Sequence, residues 1–191
     1  MKKAWWLLVL VIITTSLVVA VPGCGQSSED LAAQYIGRGD RYAYRMASEG
    51  ETMSAALEDF FAILQGPNPE AIINPGGPLD QYEAAQGEMS SSALQAEAEY
   101  QGVLTLSGVE EEKEYATMMI EVAGKTAELA EFVDEWFNKA LDVIETMDES
   151  KIRSYLTGDE FEGGMVELEG MRAEIDAVAA EASDYRLERD F

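Results

Sequence analysis

The sequence has no histidine and a single cysteine among its 191 residues, and these two absences exclude much active-site chemistry. Without imidazole the chain lacks the side chain that titrates near neutral pH, along with the commonest general base and metal ligand. One cysteine rules out an intramolecular disulfide, so Cys24 needs another explanation. No Gly-x-Ser-x-Gly nucleophile motif and no glycine-rich phosphate loop occurs. Di-iron carboxylate bundles draw on Glu-x-x-His pairs, so that class is excluded too. Carboxylates alone can hydrolyse a glycosidic bond, but in a chain this rich in them no pair stands out. No cofactor and no metal is expected.

Positive charge is also scarce. Lys and Arg number 13 against 37 Asp and Glu. With Lys2 and Lys3 set aside, 11 basic residues remain against the same 37 acidic ones, a net −26 over residues 24–191. Such a surface repels nucleic acid, whose phosphates require Lys and Arg, and is pushed away from anionic headgroups. The simplest role for so much charge is solubility.

Long apolar runs are confined to the first residues. Lys2 and Lys3 precede a run from Trp5 to Val21, broken only by Thr14, Thr15 and Ser16, which is the layout of a secretory signal. Val21-Pro22-Gly23-Cys24 follows, and it resembles the lipobox of bacterial lipoproteins. The resemblance implies a diacylglycerol thioether on Cys24 and cleavage just before it. The alternative is a retained signal anchor, since a span needs about 20 apolar residues. Either way the remaining residues are expected outside the cytoplasm, beside a membrane. The expected organisation is a signal peptide over 1–23, the lipidated Cys24 with a polar spacer to residue 30, and one acidic helical domain over 31–191.

That domain reads as all-α, an antiparallel up-down bundle of four long helices, or of three with a broken first helix. The first helix begins near Ser28 and presents Tyr35, Tyr42, Met46, Met53, Phe60 and Ile63, with a bend or break expected near Gly37, Gly39 and Gly50. Four of the five prolines fall between Gly66 and Pro78 and mark the one substantial loop. A second helix from Leu79 carries Tyr82, Gln86, Met89, Ala93, Ala96, Tyr100 and Val103. Ser107 and Glu110 have capping-box spacing before a third helix. Its stripe runs Ala116, Met119, Ala123, Thr126, Ala130, Val133, Phe137, Ala140, Ile144 and Met147, widened by Tyr115, Val122, Leu129, Trp136 and Val143. A short turn around Ile152–Leu156 follows, then a capping box at Thr157–Glu160. The last helix is expected to bury Phe161, Met165, Leu168, Met171, Ile175, Val178, Ala182 and Tyr185.

The most distinctive stretch is residues 37–45, where Arg38, Arg41, Arg45 and Tyr44 gather cations and aromatic rings in an acidic chain. Arginine forks beside rings suit a carboxylate or phosphate, so these four form a candidate anion site. The plainer reading pairs the arginines with glutamates on neighbouring helices and buries Tyr35 and Tyr42. Glu110, Glu111, Glu112 and Glu114 suit the positive end of a helix and need no metal. Methionines on the helical faces can line an adaptable groove or simply pack a core.

The functional expectation is a non-enzymatic interaction or assembly module of the cell envelope, tethered by its lipid and able to engage an envelope protein. The rival is a ligand-binding or sensory bundle that takes an amphiphile or small anion between its helices.

Overall fold

Five helices account for nearly all of the described chain. The structure, a computed structural model, describes residues 26–64, 66, 72, 75–146 and 148–189. Cys24, with the signal segment before it, lies outside the described residues, as do Met147 and most of the proline-rich loop. Helix α1 (Ser28–Leu64) opens with a capping box that composition alone did not single out. The Ser27 hydroxyl accepts from the Asp30 N–H at 3.1 Å, and the Asp30 carboxylate accepts from the Ser27 N–H at 3.3 Å. The last three residues of the expected spacer are therefore already helical. α1 is one continuous helix, without the break expected at its glycines. Tertiary packing offsets the roughly 1 kcal/mol that each glycine costs, because two of these glycines are contact points.

Helix α2 (Pro78–Leu104) starts with proline in its first turn, where the missing N–H costs nothing. In α3 (Glu110–Glu145) the expected Ser107 cap is not formed. Gly108, at φ +78°, turns the chain, and Val109 takes the N-cap position with no side-chain cap. Helix α4 (Glu149–Leu156) is capped by the Asp148 carboxylate, which accepts from the N–H groups of Ser150 and Lys151 at 3.0 and 3.2 Å. Before α5 (Asp159–Arg189), Thr157 turns its hydroxyl back to the Arg153 carbonyl at 3.0 Å.

α1 and α2 pack closely through a reciprocal fit. Tyr100 of α2 lies against Gly39 of α1, and Tyr35 of α1 against Gly102 of α2. A Cβ at either glycine would stand 2.7 or 2.5 Å from the facing ring. α2 packs on α3 through Tyr82 against Phe137 and Tyr100 against Tyr115. α3 carries α5, with Lys125 to Glu174 at 2.9 Å and Tyr185 to Glu114 at 2.8 Å. In each pair, residue numbers rise on one helix as they fall on the other. Phe60, Met89, Tyr100, Val103, Val133 and Phe137 are fully enclosed at the centre.

α5 departs from expectation. No Cα of α5 comes within 8 Å of any Cα of α1 or α2. Of the eight apolar residues expected to be buried on it, only Ala182 is; Met165 is exposed and the others are half-covered. Its stripe has a partner on one side, α3, and a gap on the other.

Candidate functional site

That gap is closed at both ends. At one end a single residue from each long helix converges on Asp40 of α1. The Asp40 carboxylate accepts from the hydroxyl of Tyr100 (α2) at 2.8 Å and that of Tyr115 (α3) at 2.9 Å. It also pairs with the guanidinium of Arg186 (α5), which reaches the Tyr115 hydroxyl at 3.3 Å and lies over the Tyr115 ring, 5.3 Å from its centroid. Burial, and then the charge of Asp40, push the Tyr115 phenol up to about 12. Burial raises Tyr100 further, with Tyr115 and Asp40 adding to it.

At the other end the closure is aromatic. Phe61 of α1 meets Phe161 of α5 edge-on at 5.1 Å, and Trp136 of α3 lies 5.2 Å from the same ring. Tyr155 of α4 completes the group at 5.9 Å. Geometries of this kind are worth about 0.5–1.5 kcal/mol per pair beyond burial. The Trp136 indole lies against Gly164, where any Cβ would stand 2.2 Å from Nε1.

Between these closures lies a groove of about 420 Å³. Met46, Met53, Met89, Met119, Leu129 and Val133 are among the residues forming its floor, and Leu168 and Ile175 form the α5 wall. Its rims are polar. Glu51, Ser54 and Glu58 edge it on α1, and Arg172 and Asp176 on α5. Arg172 reaches across to Ser54 at 3.5 Å, a long contact, and pairs with no carboxylate among the described residues. Such a mostly apolar cleft with a few polar groups at its mouth falls in the usual size range of ligand sites, about 300–1,000 Å³.

The residues singled out from the sequence lie elsewhere. Arg38 is tied to Glu99 of α2 at 2.8 Å and lies over the Tyr35 ring, 4.8 Å from its centroid. Arg45 lies 6.0 Å from the Tyr42 centroid, and Arg41, Tyr44 and Arg45 all point to solvent. None of the four lines the groove. Tyr35 and Tyr42 are half-buried. Of the methionines noted on the helical faces, five line the groove (Met46, Met53, Met89, Met119 and Met165). Arg172 and Asp176 went unnoticed, because nothing in α5's pattern shows which of its sides lacks a partner. Among the described residues no helix is long and apolar enough to cross a membrane. No family model, curated protein or solved structure matches the chain.

Proposed function

We propose that this chain is a lipid-anchored extracytoplasmic protein, folded as an up-down four-helix bundle with one open seam, that binds a chain-like apolar ligand in that seam. The role is non-enzymatic. One observation carries the reading: the α1–α5 seam is fastened at both ends and open along an apolar middle. From Ala43 to Phe61 the groove follows α1 for about 27 Å at the helical rise per residue. A volume of about 420 Å³ spread over that length leaves a channel suited to one polymethylene chain. A packed helix, about 10 Å across, does not fit. Methionine suits such a floor, being unbranched and polarisable.

The test uses Trp136, which lines the groove. Trp5 and Trp6 are the only other indoles, so Trp5→Phe/Trp6→Phe leaves a single reporter. An alkyl chain brominated in its tail should quench Trp136 at micromolar concentration, about −8 kcal/mol. Ser54→Phe, which fills the mouth, should reduce that quenching at least tenfold with helicity unchanged. Absence of quenching would sink the ligand reading. The assembly-module reading would then draw on the outer side of α5, where Val166 and Leu187 are 64% and 77% exposed.

The anchor is tested separately. Cys24→Ala should abolish metabolic lipid labelling, and labelling that survives would remove Cys24 as the attachment site. Two acyl chains, at about 0.8 kcal/mol per buried methylene, suffice for stable tethering.

A further inference from the structure

The rims of the groove bear on what kind of head a chain-like ligand carries, an inference that rests on the ligand-binding reading. Arg172 opposite Ser54 sets the register between α1 and α5. In that register Asp176, one turn along α5, faces Gly50 and Glu51, while Glu58 lies one turn beyond Ser54 in the other direction. The mouth therefore presents three carboxylates and one guanidinium, a local net charge of −2. All four groups are exposed at the rim, while the walls below them are apolar. Charge lining a cleft with low-dielectric walls focuses the field there, and the chain as a whole carries a formal net charge of −24. An anionic head would meet one arginine flanked by carboxylates. A cationic head would meet Glu51 and Asp176 on opposite rims, close enough in register for both to face it.

We propose that the groove takes single-chain amphiphiles with a positively charged head, an alkylammonium or quaternary ammonium group. The tail lies on the methionine floor and the head sits between Glu51 and Asp176. Arg172 spans the mouth one turn away and sets how far along the groove the head can travel. A lone arginine at an apolar mouth resembles a carboxylate clamp, but the sum of charges around it opposes that use.

The experiment displaces a neutral apolar fluorophore, N-phenyl-1-naphthylamine, from the full chain held in phosphatidylcholine nanodiscs, with empty nanodiscs as blank. Dodecyltrimethylammonium and dodecanoate compete below their micellar concentrations. The cation should displace the fluorophore at no more than a tenth of the concentration the anion needs. Glu51→Gln/Glu58→Gln/Asp176→Asn should erase that preference. Asp80→Asn/Glu83→Gln/Glu88→Gln, an equal change of charge at exposed sites on α2, should preserve it. Fluorophore binding with equal displacement by both competitors would overturn the charge inference and leave the groove as a ligand site. Equal loss in both triple variants would assign the preference to the global field and also overturn it. No fluorophore binding at all would remove the groove reading, and the head-group assignment with it.

Discussion

Gly163 and Gly164 are adjacent in sequence and opposite in consequence. A Cβ on Gly163 meets nothing within 4 Å, whereas one on Gly164 runs into the enclosed Trp136 indole. Gly163→Ala should stabilise the protein by up to about 1 kcal/mol through helix propensity. Gly164→Ala should destabilise it by about 1–3 kcal/mol through overpacking. Paired urea titrations decide the matter, and equal shifts would contradict the packing described. The sequence displays both glycines as helix weakeners and gives no sign of the difference, because the indole that separates them arrives from another helix. Asp40 shows the same limit. It lies inside the Arg- and Tyr-rich stretch that draws the eye, yet the arginines beside it are noticed by composition alone. Its three partners lie 60, 75 and 146 positions away.

At the scale of the helix, α5 combines polar ties with half-covered apolar residues packed against the core. Arg186 to Asp40, Tyr185 to Glu114, Lys125 to Glu174 and Arg189 to Glu111 run along its carboxyl-terminal half. Exposed pairs of this kind contribute about 0–1 kcal/mol each. The Asp40 cluster should dominate, because its hydroxyls are enclosed and lose their acceptor together. Asp40→Ala should cost about 1–3 kcal/mol, and amide exchange should accelerate first in residues 175–189. Exchange that accelerates uniformly across all helices would show that Asp40 does not hold α5 specifically. Much at this scale was legible. The number of long helices and the buried face of α3 follow from apolar spacing, since α3 has neighbours on two sides and its stripe is correspondingly wide. α5 has a similar stripe without a second neighbour, and periodicity reports which face is apolar, not whether anything covers it. The capping boxes misled for a related reason: Ser107 has the right spacing, but Gly108 turns the chain between it and the helix.

For the whole molecule, buried phenols set an alkaline limit. An unfolded chain ionises its tyrosines near the usual value of about 10, while the folded chain keeps Tyr115 neutral up to about 12. The unfolded state thus releases its proton first. Stability is fully present below pH 10 and falls as pH rises through 12, by about 3 kcal/mol from Tyr115 alone. Tyr100 and Tyr82, both raised first by burial, add to the loss. Urea midpoints from pH 8 to 12 should be level and then drop steeply, and Tyr115→Phe should make the drop shallower. An unchanged midpoint across that range would mean that the phenols are hydrated in the folded state. The groove, finally, is joined at its two ends and open down its side, which makes it a slot and not a tunnel. A tunnel admits only what can be threaded through its mouth end first. A slot accepts a molecule laid in from the side, so bulky groups at both termini of a long chain are no barrier to entry. Exchange then requires only a sideways movement of α5, with neither end of the occupant drawn through the protein.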